Sequence, residues 1–137
     1  MIIVLDTNVI VSGILKPFSK SASILRLVSD GTIQLAYDLR LLSEYRDVLS
    51  RPKFNFSKEN VEAFLAQIEE EGFFVSVKPL GTHLPDPDDE PFLEVALSGQ
   101  VEALVTGNKR HFPVSGRPGG VRILSPAEFL ELLREGT

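Results

Sequence analysis

The chain opens Met1-Ile2-Ile3-Val4-Leu5-Asp6-Thr7-Asn8, and the reading of this stretch decides the fold. Ile2 to Leu5 is an apolar, mostly β-branched run, too short for a helix, and it reads as a buried strand. Asp6 then stands at the carboxyl end of that strand, where open α/β sheets place their ligand sites. Apolar character resumes at Val9, Ile10 and Val11. A carboxylate between two apolar segments is costly unless it is paired, hydrogen-bonded or holding a cation.

Working outward, Ile33 to Ala36, Phe73 to Val77, Ala103 to Val105 and Val121 to Leu124 read as further short strands. Gly13 and Lys16-Pro17 mark a loop or an interrupted helix start. Helical spacing of apolar residues runs from Ser19 to Ser29 and again from Leu39 to Leu49, where Arg51-Pro52 stops it. Ser57 caps a third helix that carries Val61, Phe64, Leu65 and Ile68 and ends at Gly72. Residues 81–91 read as a Pro- and Asp-rich loop, followed by a helix over 89–98. Thr106-Gly107-Asn108 is a turn and residues 111–120 are a loop. Ser125-Pro126, with Glu128 three residues after the serine, makes a capping box for a last helix to about Arg134. The predicted order is β-α-β-α-α-β-α-β-β-α. Strands alternating with helices imply a parallel sheet covered on both faces, so the 137 residues form one three-layer α/β domain spanning 1–137.

Composition narrows the chemistry. With no cysteine, disulfides, thiolate metal sites and cysteine nucleophiles are excluded, and only His83 and His111 offer imidazole. Any metal must be held by oxygen or by these two rings, which favours a hard cation such as Mg²⁺ or Mn²⁺ over zinc. The net charge of −5 argues against coating nucleic acid through bulk positive charge, yet it is compatible with an acidic metal site that acts on nucleic acid. No apolar run is long enough for a bilayer, and no basic region precedes the first apolar residues, so a cytoplasmic protein without a membrane partner is expected.

The acids fall where such a site needs them. Asp6 ends the first strand. Glu44, in the second predicted helix, has Leu41 and Val48 as its neighbours along the face. Asp86, Asp88 and Asp89 cluster before a helix, and Asn108 follows the fourth strand. In a doubly wound sheet the strand ends and the following helix starts converge on one edge, which Asp6, Asp89 and Asn108 can reach and toward which Glu44 can lean. Each has a simpler role: Asp6 as a cap, Glu44 as an exposed helix residue, the three aspartates as acids favoured by a helix dipole, Asn108 as a turn residue. Together they make a divalent-metal site the better account.

These residues resemble a known family. Leu5-Asp6-Thr7-Asn8-Val9, Glu44, the stretch from Asp86 to Ala96 and Leu104-Val105-Thr106-Gly107-Asn108 look like the PIN domain, and most closely its branch of toxin components of toxin–antitoxin systems. The resemblance spans essentially the whole chain in the right order. It implies a Mg²⁺- or Mn²⁺-dependent ribonuclease built on a parallel sheet. Asp6, Glu44 and Asp89 match the three core acids. Asp89 is preferred to Asp88 by register, because Phe92 and Ala96 fit the apolar and alanine offsets of the motif. Asp86 and Asp88 are then supporting acids, Thr7 and Asn8 match residues that orient the first acid, and Thr106 matches the small hydroxyl residue of the last motif. Many members have aspartate where this chain has Asn108. Asparagine offers a neutral oxygen there and removes one negative charge.

The chemistry implied is hydrolysis of phosphodiester bonds in single-stranded RNA. Asp6 and Asp89 are the expected direct ligands, Glu44 holds a second cation or orients the attacking water, and Asn108 contacts that water. Lys16 and Lys109-Arg110, just beyond the first and fourth strands, are candidate phosphate contacts. His111 is read as a packing or solvent-facing loop residue, and His83 has less support still. A cognate antitoxin is the implied partner, and homodimerisation is common among relatives. Two other readings stay open: a phosphotransfer protein, disfavoured because neither a receiver-type acid pair nor a second aspartate at position 8 is present, and a PIN-like RNA- or protein-binding module that no longer cuts, which Asn108 favours.

Overall fold

The computed structural model describes residues 1–81, 83–114 and 116–136, so positions 82 and 115 of the expected loops lie outside the described residues. In chain order the elements are β1 (Ile2–Leu5), α1 (Thr7–Leu15), α2 (Lys20–Ser29), β2 (Gln34–Tyr37), α3 (Leu39–Leu49), α4 (Lys58–Glu71), β3 (Phe73–Phe74), α5 (Glu90–Ser98), β4 (Ala103–Val105), β5 (Arg122–Leu124) and α6 (Pro126–Glu135). Single 3₁₀ turns sit at Pro52–Phe54, Pro87–Asp89, Lys109–His111 and Pro118–Gly120.

The five strands form one sheet in the order β3-β2-β1-β4-β5, and neighbouring strands run parallel. Ile3 aligns with Leu35 on one side and Ala103 on the other, and Leu5 aligns with Val105. Ile3, Val4, Leu5, Ala103, Leu104 and Val105 have no exposed surface, as expected of central parallel strands covered on both faces. The chain winds outward from β1 to β2 and β3, then returns to β4 and β5 on the other side. The carboxyl ends of β1 and β4 therefore flank the point where strand order reverses, which is where such sheets form a crevice.

Two elements differ from the expectations. Residues 7–15 are a continuous helix, with Gly13 inside it rather than in a loop. A Cβ at Gly13 would lie 2.6 Å from Leu25 Cδ1 and 3.1 Å from the Ser21 carbonyl carbon, so the glycine lets α1 pack closely on α2. The third strand is two residues long instead of five. Phe73 and Phe74 pair with Ala36 and Tyr37, and Val75 N–H still donates to Tyr37 O, but the next residue of the neighbouring chain, Asp38, already caps α3. With no strand left beside it, 76–77 has nothing to pair with. The Ser125/Glu128 capping box forms as read from the sequence. No helix among the described residues is long and apolar enough to cross a membrane.

Candidate metal centre at the sheet switch point

Asp6 leaves β1 as the residue before α1, and its side chain makes no capping bond to that helix. Its N–H donates to Val105 O of the adjacent strand at 2.9 Å, which fixes the backbone at the switch point. The carboxylate is buried, and its Oδ2 accepts from the Thr106 hydroxyl at 2.8 Å. Thr106 is itself fully buried, and its Oγ1 also accepts from Asn108 N–H at 3.1 Å. One hydroxyl thus aims the first acid and shapes the turn after β4. Burial pushes the Asp6 carboxyl above its ordinary range; the Thr106 bond, the N–H groups of Thr7 and Asn8 and the His111 ring pull it partly back.

The backbone N–H groups of Thr7 and Asn8 both favour the charged form of Asp6. Asn8 Oδ1 accepts from Gly107 N–H at 3.0 Å and so ties the start of α1 to the turn after β4. A Cβ at Gly107 would lie 3.3 Å from Asn8 Oδ1, a tight contact to which the amide would have to yield by a few tenths of an ångström. Thr7 is buried, and its Oγ1 has no hydrogen-bond partner. The side chain that orients Asp6 is Thr106, which sequence reading had matched only as a small hydroxyl residue.

Among the three clustered aspartates, the capping work falls to Asp86, whose Oδ1 accepts from Asp88 N–H at 2.9 Å. Asp86 and Asp88 are exposed. Asp89 is the buried one, at the start of α5, and it makes no capping bond there. Its Oδ2 is buried and accepts no hydrogen bond; His111 Nδ1 stands 3.4 Å away, an ion-pair distance but long for a bond. The Asp89 carboxyl is pushed up to about 6, first by burial and then by Asp6, Asp86 and Asp88, with His111 opposing.

Glu44 reaches toward the same edge from α3. Tyr45, beside it, is fully buried and donates its hydroxyl to Leu5 O, one residue before Asp6, and this bond fastens the helix over the end of β1. Glu44 is exposed, and its carboxyl is raised by partial desolvation, by Asp47, and by Asp88 and Asp6, against the pull of Arg51. Glu44 and Asp89 on either side each feel Asp6 as one of the acids that oppose their ionisation. The acids converge without closing: among the described residues no three His, Asp or Glu side chains form a ready metal-ligand set.

The last motif brings in His111, which the sequence reads as a packing or solvent-facing loop residue. Asn108 Oδ1 accepts from Arg110 N–H at 3.2 Å, and Asn108 Nδ2 lies 3.0 Å from His111 Nε2. The 3₁₀ turn Lys109–His111 that Asn108 caps is what swings the His111 ring back toward Asp89. The signal available in the sequence was the short Asn108-to-His111 spacing, which an asparagine-capped turn converts into contact. His83 stays outside this group, highly exposed beside Glu90. Of the candidate phosphate contacts, Lys109 is taken up in an ion pair with Glu128 at 2.9 Å, while Lys16 and Arg110 are exposed.

The donor set suits a hard cation. It is made of oxygen, it includes a buried carboxylate oxygen with no donor, and its carboxyls resist ionisation. A cation between them reverses that resistance.

Known proteins share this fold. The sequence model of the PIN domain matches residues 2–110. One chain of the crystal structure of VapBC2 from Rickettsia felis, bound to a DNA fragment from their promoter, superposes with a TM-score of 0.56 at 17% identity, over 91% of this chain and 98% of that one. No curated protein matches the sequence.

Proposed function

The chain belongs to the PIN domain family, and from that premise we propose that it is a Mg²⁺- or Mn²⁺-dependent endoribonuclease acting on single-stranded RNA, as the toxin of a toxin–antitoxin pair. The observation that carries this reading is the buried, unbonded Oδ2 of Asp89 on the same sheet edge as Asp6, with Asp89 and Glu44 both near enough to feel the Asp6 charge. Asp6 and Asp89 are the direct ligands in this proposal, and Glu44 completes the set or orients the attacking water. A divalent cation held there lowers the pKa of a water molecule and polarises a phosphate oxygen. Thr106 keeps the Asp6 carboxylate from rotating, and Asn8 and Gly107 hold the two strand ends together under it. Asp86 and Asp88 add negative charge that strengthens cation binding. Lys16 and Arg110, exposed at the edge, supply positive charge for the RNA backbone.

The likeness to the VapBC2 structure supports a protein partner of the antitoxin kind, and a second copy of the chain is the other proposed partner. A cytoplasmic site of action is consistent with an RNA substrate. A non-cutting RNA- or protein-binding module remains the second reading, and it is favoured by Asn108, whose amide oxygen is already taken up by Arg110 N–H. Cleavage of end-labelled single-stranded RNA separates the two. The nuclease reading expects cleavage with Mn²⁺ or Mg²⁺ that stops with EDTA and in Asp6→Asn. Absence of cleavage with either cation moves the protein to the binding module.

A further inference from the structure

We propose that His111 is the positioning residue of Asp89, and that Asn108 acts through His111 rather than on a cation or its water. The inference rests on the metal-centre reading above. The hydrogen-bond network dictates the state of the ring. Arg110 N–H donates to Asn108 Oδ1, which fixes the amide and turns Nδ2 toward the imidazole. An amide nitrogen can only donate, so His111 Nε2 accepts and Nδ1 carries the hydrogen. That Nδ1 is the atom 3.4 Å from Asp89 Oδ2, the buried oxygen that receives no other donor. Such bonds are often long before a site is loaded.

The backbone keeps the arrangement rigid on both sides. His111 N–H donates to Asn108 O at 3.1 Å, and Phe112, the next residue, is buried in the core. Asn108 is in turn hung from Thr106 Oγ1, the same atom that aims Asp6. Thr106 therefore aims the first acid directly and the third acid through Asn108 and His111. A carboxylate ligand fixed by a neighbouring N–H loses little freedom when it takes up a cation, and partners of this kind are worth about tenfold or more in metal affinity.

Two measurements test this. Long-range ¹H–¹⁵N correlation spectra of the metal-free chain report which ring nitrogen bears the hydrogen. The proposal expects the Nδ1–H form in the wild type and a loss of that preference in Asn108→Ala. A ring in the Nε2–H form overturns it, whatever the metal does. Direct Mn²⁺ titration then compares two replacements of the ring. In His111→Asn the amide nitrogen sits where Nδ1 was, so affinity should stay within about threefold of wild type. In His111→Gln the amide sits where Nε2 was and the donor to Asp89 is lost, so affinity should fall about tenfold. Equal affinities in both variants and the wild type overturn the positioning role, and an equal fall in both assigns the effect to ring packing instead. If the wild type itself takes up no Mn²⁺, the metal-centre reading fails and the positioning role falls with it, a result distinct from every variant pattern above.

Discussion

Replacing Asp89 with asparagine should make the metal-free protein more stable. The carboxyl titrates at about 6 in the folded chain against a reference of 3.8. Between these values the folded chain keeps a proton that the unfolded chain has released. Stability is therefore lost as pH rises through that window, and the loss is complete above about 6. A rise of this size corresponds to about 3 kcal/mol; relaxation of the neighbouring acids in solution makes about 2 kcal/mol the working figure. Asparagine cannot ionise and escapes the loss. Urea unfolding with EDTA present, followed by circular dichroism, should show Asp89→Asn more stable by about 2 kcal/mol near pH 7.5 and nearly equal to wild type near pH 4. Saturating Mn²⁺ should reverse the order at the higher pH, because only the wild type gains from binding. A variant no more stable than wild type near pH 7.5 with EDTA would refute the claim that Asp89 is held in an unfavourable charged state.

Other replacements test the scaffold. Thr106→Val removes the donor to Asp6 and the acceptor for Asn108 N–H in a fully buried place, and should cost about 1–3 kcal/mol in urea unfolding as well as weakening Mn²⁺ uptake. Gly13→Ala should destabilise by about 1–3 kcal/mol in the same assay, because the close approach to Leu25 and the Ser21 backbone outweighs the gain of about 1 kcal/mol in helix propensity. Lys109→Ala should change stability by less than about 1 kcal/mol, since its pair with Glu128 is solvent-exposed.

Much of the fold was legible because its signals are local and periodic. The run Ile2 to Leu5, the spacing from Leu39 to Leu49 and the Ser125/Glu128 box each determine an element without help from distant residues. The failures arose where a distant partner decides. Gly13 reads as a breaker along the chain but is a contact point against α2. Phe73 to Val77 has strand composition, yet its neighbour turns into α3 and leaves only two residues to pair. At the candidate site, Asp6 could be read from the strand end, and Asp89 from the helix start once the register of the family motif set it apart from Asp88. What holds them could not: the Thr106 bond to Asp6 joins positions a hundred residues apart, and the role of His111 depends on a single 3₁₀ turn inside what read as a loop.

The central claim is that the sheet switch point holds a divalent cation between Asp6 and Asp89. Anomalous scattering from crystals grown or soaked with Mn²⁺ tests it most directly. The account predicts a peak contacted by carboxylate oxygens of both residues, with Glu44 turned toward it, and its loss in Asp89→Asn crystals. A protein that takes up Mn²⁺ only elsewhere on its surface, or a switch point left empty at saturating Mn²⁺, would contradict it.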